Sequence, residues 1–178
     1  CWVEDSRLVL LNILDAEKKG AKAFSYSKVT SVQRKNGKWL VSINSREGSF
    51  IVKTKVLINT MGPWVNSLRQ LENNKKNQSM VRLVKGSHIV VKKLFNHDSA
   101  YIFQGKDGRI IFSIPYEKDF TLIGTTEVEH NEGKEAKCSD KEKKYLCDFA
   151  SNYFRKKITV EDIVWDFSGV RALYENKT

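Results

Sequence analysis

Between Val81 and Thr126 the sequence repeats one pattern: a short run rich in apolar, β-branched and aromatic residues, then a polar break. The runs are 81–84, 88–91, 100–104, 109–114 and 120–126, with Lys106-Asp107-Gly108 as a turn signal between two of them. Runs so short and so closely spaced leave no length for crossover helices, so this half of the chain predicts a mostly antiparallel sheet. Ser139 with Glu142 forms a capping box ahead of a helix to about residue 154. The run 163–170 then returns as a strand ending near Arg171.

The first half is punctuated differently. Asp5 is placed to cap a helix running to about Lys19, because Leu8, Leu11 and Leu14 recur near helical spacing and Gly20 follows as a stop. Segments 21–26 and 28–34 have strand patterns, Asn36-Gly37 is a hairpin signal, and Trp39, Val41 and Ile43 alternate along 38–44. Glu47-Gly48 makes a second turn before the strand 50–54, which feeds the apolar run 56–58. That run ends in Asn59-Thr60-Met61-Gly62-Pro63-Trp64, where a helix to about Leu71 begins, since proline is accepted in a first helical turn. Between the halves, 73–79 contains no apolar residue and is the expected linker. The fold expected is α+β: a partial domain at 1–72, and an antiparallel domain with helices at 80–178.

With 40% apolar and 29% charged residues, the 178-residue chain can close a packed core. No apolar run nears the roughly 18 residues of a membrane span. Cys1 stands first, without the basic leader and apolar stretch of a secretory signal, and the start reads as cut from something longer. Three cysteines without CxxC spacing argue against a disulfide framework or zinc site, and a reducing cytoplasm fits them. The net charge is +10, and 17 Lys/Arg against four Asp/Glu fall within 15–93. Such asymmetry either is a solvated lysine-rich surface or marks a basic non-enzymatic module for nucleic acid or anionic lipid. Lysine supplies 23 of the 31 positive charges, and base and phosphate recognition favours arginine.

Three short segments can carry chemistry. Arg82-Leu83-Val84-Lys85-Gly86-Ser87-His88 places two bases, a glycine and a histidine in what reads as a tight strand-to-strand region, where Gly86 lets His88 approach a ligand closely. Lys-Gly-Ser is equally an ordinary turn. Gly124-Thr125-Thr126-Glu127 ends a strand with groups that orient a polyol or merely terminate a sheet edge. Ser168-Gly169-Val170-Arg171 ends another with a guanidinium, whose donors match a phosphate or carboxylate. His97 and His130 lie in polar loop sequence without metal-ligand spacing. Neither GxGxxG nor GxxxxGK[ST] occurs.

Six ordered blocks carry a resemblance: Cys1-Trp2-Val3-Glu4-Asp5-Ser6-Arg7-Leu8-Val9-Leu10, Asn59-Thr60-Met61-Gly62-Pro63-Trp64, the stretch from Val81 to Val91, Ile114-Pro115-Tyr116, Gly124-Thr125-Thr126, and Ser168-Gly169-Val170-Arg171. Together they resemble the FAD-dependent glycerol-3-phosphate dehydrogenases of the respiratory chain, with related glycerophosphate oxidases sharing much of the pattern. The resemblance implies a flavoprotein fragment, inactive alone, whose intact form oxidises sn-glycerol 3-phosphate to dihydroxyacetone phosphate. It implies electron transfer to quinone, peripheral association with the inner face of the cytoplasmic membrane, and no nucleic-acid partner. By the same carry-over, Val29, Thr60 and Gly62 approach the FAD. His88 is the catalytic base, and Arg171, Lys85 and Thr125 belong to the substrate site, with no metal. Three segments depart from the pattern: Thr60-Met61 replaces Ala-Ala, Glu127 replaces Asp, and Ala172 replaces Pro. The glycine-rich phosphate turn is absent, so a complete FAD site is not expected from this chain.

Overall fold

The computed structural model describes residues 3–73, 81–131 and 135–174. They fall into two compact units that divide after residue 80. Apart from Asn73, the expected linker lies outside the described residues.

In the first unit, α1 spans Asp5–Lys18. Its N-cap is Glu4, which makes no side-chain capping bond, so Asp5 is the first helical residue rather than the cap. Gly20, at φ +95°, ends it as expected: the amides of Lys19 and Gly20 reach back to the carbonyls of Ala16 and Glu17 at 3.0 and 2.9 Å. None of its residues is buried, and Leu8, Val9, Leu10, Leu11, Ile13 and Leu14 are all exposed.

Strands β1 (Lys28–Lys35), β2 (Lys38–Ser45) and β3 (Gly48–Thr54) form an antiparallel meander in the order β1-β2-β3. Asn36 and Gly37 sit at φ +49° and +73° between the paired Lys35 and Lys38, the primed-turn geometry that this dipeptide favours. The strand expected over 21–26 does not form. Tyr26, at φ +52° under the Arg46 guanidinium, breaks the extension two residues before β1. The apolar run 56–58 lies outside any strand, with Val56 and Ile58 exposed. A 3-10 turn, Gly62–Trp64, with Pro63 in its first turn, then leads into α2 (Val65–Asn73). Asn59 braces this entry, donating to the Val65 carbonyl at 2.8 Å and accepting from the Met61 amide at 3.2 Å.

The second unit holds β4 (Val81–Lys92), β5 (Tyr101–Gln104), β6 (Ile110–Tyr116), β7 (Phe120–Gly124), β8 (Val128–Glu129) and β9 (Ile163–Tyr174). They form one antiparallel sheet, ordered β5-β6-β7-β4-β8, with β9 against the other edge of β4. Two expected strands, 81–84 and 88–91, are thus a single strand running straight through Gly86, whose partner across the ladder is Gly169. Gly86 is therefore not a turn. The ladder of β9 continues through Arg171 to Tyr174.

Helix α3 (Asp140–Ser151) covers one face of this sheet. Ile89, Val91, Ile111 and Ile123 of the sheet pack against Leu146, Cys147, Phe149 and Ala150, with Ile158 completing the core. The capping box is present: Ser139 Oγ accepts from the Glu142 amide, and the Glu142 carboxylate accepts from the Ser139 amide. The helix ends at Ser151, short of the expected 154, and Phe154 packs beside the core. The architecture is α+β.

Candidate functional site

Strand alternation sorts β4 into two sets of side chains. Ser87, Ile89 and Val91 are buried on the α3 side, so Gly86, His88 and Val90 belong to the opposite face. Opposed residues in an antiparallel ladder share a face, which adds Arg171, Gly169, Phe167 and Trp165 from β9 and Gly124 and Leu122 from β7.

On that face His88 and Arg171 are each laid over a glycine. The imidazole stacks on Phe167 with centroids 4.9 Å apart and planes 9° from parallel. Its other neighbour is Gly124: a Cβ there would fall on the ring, within 2.7 Å of Cγ and 2.8 Å of Nε2. The Arg171 guanidinium crosses Gly86, where a Cβ would strike Nη2 and come within 2.5 Å of Thr125 Oγ1. Nη2 donates to Thr125 Oγ1 at 3.2 Å and to the Thr126 carbonyl at 3.3 Å. A guanidinium has five N–H donors, so donors remain for an anion. Gly86 and Gly124 serve here by lacking a side chain, a role their places in the sequence do not announce.

Of the expected substrate-site residues, then, His88, Arg171 and Thr125 come together. Lys85 does not join them. Its ammonium points to the α3 side, where it pairs with Glu142 at 2.7 Å and donates to the Lys137 carbonyl at 2.6 Å. Strand alternation alone opposes it to Gly86 and His88.

Glu142 is the residue that the sequence reading missed, beyond its part in the capping box. Its side chain is 8% exposed and accepts from Lys85, Ser87, Thr126 and both groups of Ser139, at 2.6–2.9 Å. Burial pushes the carboxyl up, but the hydrogen bonds from Lys85, Ser139 and Ser87 outweigh it and hold the group down at about 2, against an ordinary 4.5. A depressed carboxyl stabilises the fold fully above its unfolded value and loses that contribution as pH falls through the folded one. The chain is therefore expected to lose about 3 kcal/mol of stability from this group between roughly pH 5 and pH 2. Denaturant midpoints measured across that range check this, and Glu142→Gln should flatten the acid limb.

The expected cofactor residues belong to the first unit. Val29 and Met61 line one cleft of about 590 Å³ together with Ser27, Lys28, Thr30, Ser67 and Leu71. Thr60 and Gly62 flank Met61 in the chain without lining the cleft themselves, and Gly62 sits at φ +54°. Neither described cysteine is an activated nucleophile: burial pushes the Cys147 thiol up to about 11 and raises that of Cys138.

A family model for FAD-dependent oxidoreductases matches residues 1–178. The chain is 36% identical to the aerobic glycerol-3-phosphate dehydrogenase of Escherichia coli, over 100% of its own length and 36% of the relative's. It is 39% identical to the D-erythritol 1-phosphate dehydrogenase of Brucella abortus, over 99% of its length and 36% of the relative's. Among solved structures, the glycerol-3-phosphate dehydrogenase from Bacillus halodurans complexed with FAD superposes with a TM-score of 0.81 at 29% identity, covering 99% of this chain and 36% of that one. The chain thus spans about a third of the length of the relatives it matches. By the match along its whole length, it belongs to the FAD-dependent oxidoreductase family.

Proposed function

We propose that this chain is the substrate-binding portion, with part of the cofactor site, of an FAD-dependent glycerol-3-phosphate dehydrogenase. The observation that carries the proposal is the convergence of Arg171, Thr125 and His88 on one sheet face. Arg171 lies over Gly86, two residues from His88 and so roughly 7 Å along the strand. That separation suits a ligand whose phosphate and reacting hydroxyl stand on adjacent carbons. The guanidinium, held by Thr125, binds the phosphate. His88 accepts the proton of the C2 hydroxyl through Nε2, since its Nδ1 is buried. Stacking on Phe167 fixes the plane of the imidazole, so the base meets the hydroxyl already oriented.

FAD, when bound, supplies the chemistry that takes up the hydride from C2. The cleft bounded by Val29 and Met61 fits part of that cofactor, with the turn through Thr60 and Gly62 beside it. No glycine-rich phosphate turn occurs in the sequence, so these residues hold only a portion of the group, and the 178-residue chain alone is inactive. In the intact enzyme the electrons pass to a quinone. The basic stretch 15–93 favours a peripheral place on the anionic inner face of the cytoplasmic membrane. No helix among the described residues is long and apolar enough to cross a membrane.

A polypeptide of the relatives' length that carries this sequence and binds FAD should reduce a quinone analogue far faster with glycerol 3-phosphate than with glycerol. Failure with glycerol 3-phosphate in a flavin-loaded preparation would sink the assignment. Preference for D-erythritol 1-phosphate would move it to a longer polyol phosphate.

A further inference from the structure

We propose that Glu142 is a positioning residue: from the α3 side of the sheet, its carboxylate sets the backbone that carries Arg171, Thr125 and His88 on the other side. The inference rests on the reading of that open face as the substrate site.

The two carboxylate oxygens are divided between helix and sheet. Oε2 accepts from the amide and hydroxyl of Ser139, at 2.9 and 2.6 Å, and from Lys85 at 2.7 Å. Oε1 makes neither helix bond. It accepts from Ser87 Oγ and Thr126 Oγ1, both at 2.8 Å. A further hydroxyl joins through Ser87, whose Oγ lies 2.7 Å from Ser168 Oγ. Ser87 gives its one proton to Glu142, so Ser168 is the donor of that contact.

Each group so held is the chain neighbour of a group on the open face. Ser87 precedes His88 and follows Gly86, over which Arg171 lies. Thr126 follows Thr125, and its own carbonyl accepts from Arg171. Ser168 follows Phe167, on which His88 stacks. Adjacent residues of a strand point to opposite faces, so fixing one set fixes the other. The Thr126 hydroxyl also accepts from the Ser87 amide at 2.9 Å, which ties the turn after β7 to β4 at the point where Arg171 crosses.

A helix cap needs Ser139 but not Oε1, and a buried ion pair is often replaceable by apolar packing without loss of stability. What the carboxylate adds is a fixed register between strand and turn, and hence a fixed direction for the guanidinium.

The test uses Glu142→Gln, Glu142→Asp and Thr126→Val, the last of which keeps the helix cap and the ion pair. In the 178-residue chain without substrate, rotation about the Arg171 Cζ–Nη2 bond, followed by NMR, should quicken in Thr126→Val by about fivefold to tenfold, the worth of one hydrogen bond. In an FAD-loaded enzyme carrying this sequence, KM for glycerol 3-phosphate should rise by a similar factor in Thr126→Val and by more in Glu142→Gln. Flavin content should stay constant in Thr126→Val, and Glu142→Asp should recover part of the loss. Adding Thr126→Val to Arg171→Ala should cost little more than Arg171→Ala alone. Unchanged rotation in Thr126→Val, or full additivity in the double variant, would overturn the positioning role. Quickened rotation in a protein that does not oxidise glycerol 3-phosphate would uphold it and reject the substrate instead.

Discussion

Arg171→Ala, in an FAD-loaded enzyme that carries this sequence, is expected to raise the KM for glycerol 3-phosphate strongly while leaving flavin content unchanged. In the proposed site the guanidinium meets the phosphate in the ground state and transition state alike, so its loss is chiefly a loss of binding. Removing one charge-assisted pair costs on the order of 2–4 kcal/mol, roughly 30-fold to nearly 1000-fold in kcat/KM. Activity on unphosphorylated glycerol, which has no dianion to lose, should change little. Arg171→Lys should recover only part of the loss, because an ammonium cannot donate to Thr125 Oγ1, the Thr126 carbonyl and a phosphate in one plane. Steady-state kinetics on the two substrates checks this, and a wild-type KM in Arg171→Ala would remove the residue from the phosphate site.

His88→Ala is expected to act on the other constant. Proton removal belongs to the transition state, so kcat should fall, by roughly 10²- to 10⁴-fold for a positioned general base, with KM altered far less. Activity of His88→Ala should rise with pH, as hydroxide substitutes for the missing base. Gly124→Ala offers a second approach to the same group, because its methyl must push the imidazole off Phe167 without deleting it. It should reproduce part of the kcat loss while His88 remains in the chain. If pre-steady-state flavin reduction in His88→Ala proceeds at the wild-type rate, another residue is the base.

Much of this fold is written in short-range signals. Asn36-Gly37 predicts its hairpin because two adjacent residues tolerate the φ values of +49° and +73° that the turn demands. Ser139 and Glu142 predict the start of α3 because the capping box is closed within three residues. Gly86 misleads for the same reason. Taken locally, a glycine after Lys85 punctuates; in the fold it stays in β4, because the space it leaves is filled by Arg171, 85 positions along the chain. The segment 21–26 has a strand-like composition but joins no strand of the sheet, and Tyr26, at positive φ, turns it away.

The site divides along the same line. Arg171, Thr125 and His88 are identifiable because each stands in a recognisable block. Their supports are not, since Glu142 meets Lys85, Ser87 and Thr126 across 57, 55 and 16 residues. Nothing in the neighbourhood of Glu142 distinguishes it from an ordinary helix-capping acid. Lys85 is the reverse case: it stands in the right block and on the wrong side of the strand.

Helix α1 sets how this chain behaves among its own copies. Six apolar side chains of one helix meet solvent on a molecule with a net charge of +10. At low ionic strength mutual repulsion keeps such surfaces apart. Salt shortens the reach of that repulsion from about 30 Å at 0.01 M to about 3 Å at 1 M, while leaving hydrophobic attraction intact or stronger. Solutions of the chain should therefore scatter more light as sodium chloride or sulfate is added, the reverse of salting-in, and Leu10→Glu with Leu14→Lys on α1 should abolish the rise. The same helix makes low salt the condition for measuring single molecules.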